Sequence, residues 1–313
     1  MNIVVVGSAN QDYITELPHF SIGGETLVAD AIEKRAGGQG VNQSVAAARA
    51  GASVSFVGCV GDDHDGQLIR QQLISEGVDT SEVQITASLP TGLALVSSYP
   101  DGARSITVIP GANMALTASQ VARAVERLAL GDAVVLVQAE ISEDAIAAAI
   151  TSAHATGARA ILNLAPYRVL PAEILRLCDP LVMNEMEGAA LLKVRIDSVD
   201  EALQAVAAAA QLANSAVISL GAGGAVWAAN GRAGHVPAES VPVLDASGAG
   251  DAFVGVLAAA LAVQPALDKA VETAVAAGAF VVARLGVQPS YPMRSDLLRA
   301  TAALAEHKVA VKD

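Results

Sequence analysis

The sequence predicts an α/β fold: a mainly parallel central sheet with helices on both faces, plus a small separate β-sheet. Three observations carry that prediction. Short continuous apolar runs, such as residues 3–6 and 133–137, read as strands buried on both faces. Between the runs lie stretches with apolar residues at helical spacing, for instance Leu68, Ile69, Leu73 and Ile74. No repeat, low-complexity linker or compositional break divides the 313 residues, which are ample for one large core. Strands and helices that alternate in this way form right-handed crossover units on a parallel sheet.

The elements follow in order. Residues 3–6 make the first strand, ending at Gly7. Ser8-Ala9-Asn10-Gln11-Asp12 comes next, at the carboxyl end of that strand, where open α/β sheets place their ligands. Asn10 and Asp12 alternate, so an extended chain turns both to one side; an Asx-rich turn is the competing reading. Residues 13–34 lack a helical period and carry Pro18, Gly23 and Gly24. Residues 91–98 and 104–109 read as strands joined by a Pro100-Asp101-Gly102 turn. A helical run covers 43–50, a strand 54–60 and a helix 66–76. Thr117 opens a helix, with a Thr-x-x-Gln capping box to Gln120. Then come a strand at 133–137, a helix at 143–155, strands at 159–162 and 181–183, an Ala-rich helix at 200–212 and a strand at 216–220. Residues 226–229 and 235–236 flank Asn230-Gly231, the strongest hairpin signal in the chain. Helices at 267–284 and 294–307 close it.

Charge and cysteine usage narrow the function classes. The net charge is −13 with no basic run, which argues against nucleic acid or an anionic membrane as partner. Cys59 and Cys178 lie beside apolar runs without metal-ligand spacing, as buried free thiols do. Met1-Asn2 leads straight into a strand, so a reducing, cytoplasmic setting is expected.

Chemistry is concentrated in residues 244–251, Leu-Asp-Ala-Ser-Gly-Ala-Gly-Asp, followed by an apolar helical run from Ala252. A glycine loop opening a helix leaves amide N–H groups unpaired, and with the helix dipole they form a site for an anion, most often phosphate. Asp251 falls on the first turn, where a carboxylate serves equally as a helix cap or as a general base beside a phosphate. A second stretch, Ala36-Gly-Gly-Gln-Gly-Val-Asn42, precedes the helical run at 43–50.

Together the two stretches resemble the paired signatures of the ribokinase, or phosphofructokinase-B, family of sugar and nucleoside kinases, in order and with matching spacing along the whole chain. The resemblance implies a ribokinase-like fold, one kinase domain over 1–313 with a β lid from about 12–36 and 91–110. It implies an ATP-dependent sugar kinase, with the 5-hydroxyl of D-ribose as first acceptor and nucleosides or other pentoses and hexoses as alternatives. Asp251 would be the catalytic base, and Asn10, Asp12, Gly38, Gln39, Gly40, Asn42 and Glu140 would hold the sugar. Asn184, Ser219, Gly221, Gly224, Gly248, Ala249 and Gly250 would lie along ATP, and Glu187 would organise Mg²⁺ through water. For the Asn184 to Glu187 segment an ordinary helix start is the competing reading. Asp245, Ser247, Val281, Arg284, Gly286 and Ser290 would form a K⁺ loop, and two lids would clasp in a homodimer.

Three positions depart from the family pattern. Gln39 stands where a Lys is frequent, Ala246 where Thr is usual, and Val275 where Asn or His often faces the adenine. Two readings from other classes are weaker. A dinucleotide-dependent oxidoreductase lacks its Gly-x-Gly-x-x-Gly after the first strand, and a non-catalytic sensor does not need Asp251.

Overall fold

The computed structural model describes residues 2–100 and 104–300. Strand β1 (Asn2–Val6) is followed, after three residues, by β2 (Asn10–Glu16), and β3 (Glu33–Gly37) returns antiparallel to β2 and runs into α1 (Gln39–Arg49). Next come β4 (Ser53–Gly61), α2 (His64–Ser75), β5 (Asp79–Thr86), β6 (Gly92–Ser98) and β7 (Arg104–Ile109). A 3-10 segment (Gly111–Ala115) leads to α3 (Ala118–Leu128), β8 (Val134–Gln138), α4 (Glu143–Thr156), β9 (Arg159–Asn163) and the single turn α5 (Ala172–Leu175). The chain continues through β10 (Leu181–Asn184), α6 (Glu185–Leu192), α7 (Val199–Ala209), β11 (Ser215–Ser219), β12 (Ala225–Ala229) and β13 (Arg232–Val236). Helices α8 (Ala249–Leu261) and α9 (Leu267–Val282) follow, and residues 294–300 are helical.

Nine strands form the main sheet in the order β13-β12-β11-β10-β9-β8-β1-β4-β5, parallel from β11 to β5. Strands later than β1 lie on both its sides, β4 and β5 on one and β8 to β11 on the other. That reversal between β1 and β8 marks the crevice in which ligands bind. Four strands, β3-β2-β6-β7, form the second sheet beside it. The two faces of β1 show how the core divides. Val4 and Val6 pack with residues of α3, α4 and α7, whereas Ile3 and Val5 pack with α1, α2, α8 and α9. Each such fully buried side chain contributes about 1.5–3 kcal/mol. Helices α1 and α8 meet backbone to backbone: a Cβ added at Gly255 would lie 2.6 Å from the Gln43 carbonyl oxygen and 2.7 Å from the Ala46 Cβ.

Several expectations are met closely. Thr117 and Gln120 form their capping box. Asn230 and Gly231, with φ of 52° and 72°, make the two-residue hairpin turn between β12 and β13. Both cysteines are buried and free. Among the described residues no helix is long and apolar enough to cross a membrane.

Three differences have physical reasons. Helix α1 begins at Gln39 rather than at 43, because Gly38 serves as N-cap and the glycines beside it read as loop in sequence. Strand β5 is absent from the sequence reading: it is an edge strand whose alternate residues are exposed, with no apolar run to mark it. Helix α7 stops at Ala209, three residues short of the expected end. The second half of the expected turn at 100–102 and the end of the helix expected at 294–307 lie outside the described residues.

Candidate active site

The carboxyl ends of β1 and β8 supply the first wall. Asn10 is buried, its Oδ1 accepting a 2.7 Å hydrogen bond from Asn113 Nδ2, while the Asn113 Oδ1 accepts one from the Ala9 amide. Asn10 and Asp12 pair in register with Gly37 and Arg35 of β3, so they share one face, as the alternation predicted. Glu140, two residues beyond β8, accepts from the Ser8 hydroxyl and, at 3.4 Å, from the Gln39 amide; the Gly40 amide donates to Ser8 Oγ. The first turn of α1 is thereby fixed against the end of β1. Two buried polar atoms, Asp12 Oδ1 and Gln39 Oε1, have no partner within the protein. Buried polar groups are seldom left so, and a hydroxylated ligand would satisfy them.

The second wall is the start of α8. Gly248, with φ of 76°, is its N-cap in a left-handed conformation that a residue with a side chain adopts only with strain, and no side chain caps the helix. The Gly250 and Asp251 amides on the first turn have no carbonyl four residues back within the helix. Asp251 does not cap α8. Its Oδ2 accepts from Asn42 Nδ2 and its Oδ1 from Gln43 Nε2, both at 3.0 Å, so its partners come from α1.

Burial pushes the Asp251 carboxyl up to about 7; the hydrogen bonds from Gln43 and Asn42 oppose that shift and the nearby Glu140 adds to it. Burial, Glu140 and Asp251 likewise push Asp12 up to about 7 against the pull of Arg35. Burial raises Glu140 as well. Three carboxyls from three separate stretches of chain thus share one electrostatic field, in a pocket where Gln39 brings no cation. For a carboxyl raised from 3.8 to about 7 on folding, the stability contributed is full below 3.8 and is lost as pH rises through about 7. Thermal melts of the ligand-free protein are therefore expected to show a fall in stability between about pH 4 and pH 7, flattened in Asp251→Asn. A wild-type curve that rises over that window would refute it. Were this carboxyl to act as a base, activity would carry the opposite sign, with a kcat/KM that climbs through about pH 7.

The third group stands at the carboxyl ends of β10 and β11. Asn184 and Ser219 are paired across these strands. Asn184 and Glu187 form a reciprocal capping box, Asn184 N to Glu187 Oε2 at 2.8 Å and Glu187 N to Asn184 Oδ1 at 2.9 Å. The helix-start reading of this segment is what the geometry shows, with the second Glu187 oxygen outside the box. Gly221 opens a 3-10 turn and Gly224 closes it. Val275, by contrast, is buried on the core-facing side of α9. Among the described residues no three His, Cys, Asp or Glu side chains stand together as a metal site.

The fourth group stitches the loop before α8 to the end of α9. The Leu244 and Asp245 amides both donate to the Val282 carbonyl, and the Gly286 amide donates to Asp245 Oδ2. Ser247 donates through its amide and its hydroxyl to Asp245 Oδ1. Val281 and Ser290 are buried; Arg284 is exposed and stacks on Phe280.

Sequence reasoning missed Ser8, Gln43, Asn113 and Gln288. No local pattern marks them: Gln43 stands between Asn42 and Ser44, Gln288 lies in a short turn beside Pro289, and Asn113 sits in the 3-10 segment.

A doubly wound sheet with an amide-lined helix start and an acid cluster facing it at the topological switch defines a phosphotransferase for hydroxyl acceptors. The pfkB family carbohydrate kinase profile matches residues 1–294, and the chain belongs to that family. It is 32% identical over 297 residues to the ribokinase of Haemophilus influenzae, covering 95% of this chain and 97% of that one. It is 34% identical to the deoxyribokinase of Salmonella typhimurium, covering 93% and 96%. The structure of Arabidopsis thaliana ribokinase complexed with ribose and ATP superposes with a TM-score of 0.85 at 29% identity, covering 96% of this chain and 98% of that one.

Proposed function

We propose that the chain is an ATP-dependent ribokinase that transfers the γ-phosphoryl group to the 5-hydroxyl of D-ribose. The observation that carries the reading is Asp251: a half-buried carboxylate on the first turn of an uncapped helix, held by α1 and near the charges of Glu140 and Asp12. In this reading Asn10, Asp12, Gly38, Gln39, Gly40, Asn42 and Glu140 hold the sugar hydroxyls. Asp251 takes the proton of the attacking hydroxyl as the oxygen loses charge to phosphorus, and the amides of residues 248–251 stabilise the transferring phosphoryl oxygens. A carboxyl near 7 suits that task better than an ordinary one. ATP lies along Asn184, Ser219, Gly221 and Gly224 to the loop of Gly248, Ala249 and Gly250.

Mg²⁺ fits what is present. The ion keeps its waters and takes few protein oxygens, so Glu187 would act through water and the ion would neutralise phosphate charge. A monovalent cation fits the carboxylate, hydroxyl and carbonyl oxygens of Asp245, Ser247, Val281, Arg284, Gly286 and Ser290, where it would steady the phosphate loop. A coupled ADP-release assay over pentoses, hexoses and nucleosides, with and without K⁺, tests the proposal. Ribose is expected to be preferred; preference for a nucleoside or hexose would overturn it. The 34% identity to a deoxyribokinase keeps 2-deoxyribose as a second reading, decided by the same panel.

The small sheet supports a homodimer. By register, Ile14, Val96, Ile106 and Val108 share the Asp12 face, and Ile106 and Val108 are 61% and 42% exposed. An apolar sheet face of this kind finds a partner, and two-fold pairing is the commonest solution. Light scattering is expected to give twice the chain mass, and Ile106→Glu to halve it; a monomeric wild type would refute the dimer.

A further inference from the structure

Among the described residues no cationic side chain bonds Asp251. Its two oxygens are held by two carboxamides, and each of those is itself held by another. On one side Gln288 Nε2 donates to Asn42 Oδ1 at 2.9 Å, and Asn42 Nδ2 donates to Asp251 Oδ2. On the other, Gln138 Nε2 donates to Gln43 Oε1 at 2.8 Å, and Gln43 Nε2 donates to Asp251 Oδ1 and to Asn163 Oδ1. The direction of each relay is set by groups that only accept. Gln288 Nε2 also donates to the Ala36 carbonyl, and Asn163 Nδ2 donates to the Val182 carbonyl, so the amides cannot reverse without losing partners.

Gln138 is informative because packing does not need it. It is fully buried at the end of β8, and its Oε1 has no partner and lies over Gly7, where a Cβ would come within 1.8 Å of it. An orphaned buried carboxamide oxygen destabilises a fold, and an apolar side chain of the same length would not carry that cost. What Gln138 does supply is the N–H that turns Gln43.

We propose that Gln138 and Gln288 are positioning residues for phosphoryl transfer, each holding one carboxamide, Gln43 or Asn42, with its N–H toward one oxygen of Asp251. The inference rests on Asp251 being the base. Neutral donors fix the rotamer of the carboxylate and leave it basic, whereas a cation in their place would fix it and quench it.

The test uses the purified full chain in single-turnover experiments across pH, with the variants Gln138→Met, Gln288→Met and their double. Loosening a donor that favours the ionised carboxylate moves the rising limb of the rate to higher pH, by roughly half a unit to one unit per relay. The rate at pH 7 then falls roughly 2- to 5-fold and recovers above pH 8.5, and the double adds the two shifts. Gln72→Met removes a 3.4 Å donor to Gln288 that lies outside the relays, and is expected to leave the limb in place. Gln138→Met is further expected to melt near the wild type, because it removes the orphaned Gln138 oxygen while leaving Gln43 Oε1 without its donor. A limb that stays put, or a loss equal at every pH, would overturn the proposal. Difference infrared titration of Asp251 in the ligand-free protein, referenced to Asp251→Asn, reads the same shift without turnover. If Asp251→Asn keeps its activity, the base assignment fails; if it is inactive and the relay variants titrate as the wild type does, only the relay fails.

Discussion

Asp251→Asn is expected to lower kcat by at least about 10²-fold while leaving fold and sugar binding in place. The substitution keeps the shape of the side chain and removes its capacity to take a proton. It also turns one acceptor into a donor facing Asn42 or Gln43, so one of those amides must rotate, a local cost. Against that, the variant no longer buries a carboxyl whose ionisation burial opposes. Thermal stability at pH 8 should therefore change little. Calorimetry with ribose and single-turnover ADP release separate the two effects. A purified variant within a few-fold of wild-type turnover would remove Asp251 from the chemistry.

Asp12→Ala is expected to cost roughly 10²-fold in kcat/KM for the sugar and almost nothing in ATP affinity. A hydrogen bond to an ionised carboxylate is worth about 1.5–3 kcal/mol, which is roughly one to two powers of ten. A site built around hydroxyls also leaves other groups unpaired when one contact is lost. Asp12 Oδ1 has no partner within the protein, so the loss falls on the ligand. Removing one of three coupled carboxyls should also lower the Asp251 carboxyl from about 7, visible as a rising limb shifted to lower pH. Equal damage to sugar and ATP binding would show that Asp12 serves the fold instead.

The parts of the molecule legible in sequence are those with a local cause. Strands of the central sheet announce themselves as apolar runs, and the Asn230-Gly231 turn and the Thr117 cap are set by two to four residues. The paired glycine stretches pointed to Asp251 and Asn42, and the Asn-x-Asp after the first strand to Asn10, through their resemblance to a family. The rest depends on contacts that no window of sequence contains. Strand β5 is an edge strand, half exposed, and so carries no run. Asn113 orients Asn10 from a position 103 residues away, and Gln288 reaches Asn42 across 246 residues. Nothing in their neighbours marks them as polar groups aimed at a site. The double use of Asn184 and Glu187, as a helix cap and as candidate ligand-facing groups, is ambiguous in sequence because both uses need the same residue types.

The Gly255 contact between α1 and α8 has a dynamic consequence. Asn42 and Gln43 ride on one helix and Asp251 on the other, and the two helices touch at Gly255 through the Gln43 carbonyl and the Ala46 methyl, with no rotatable side chain between them. Such a seam has no slack, so the amide cradle around the base behaves as a single stiff piece. The smaller sheet, by contrast, joins the core through connecting segments, residues 7–9, Gly38, 87–91 and Pro110. Amide hydrogen exchange should record that division as slow protons along 42–47 and 252–258, and fast ones in β6 and β7, whether or not substrate is bound.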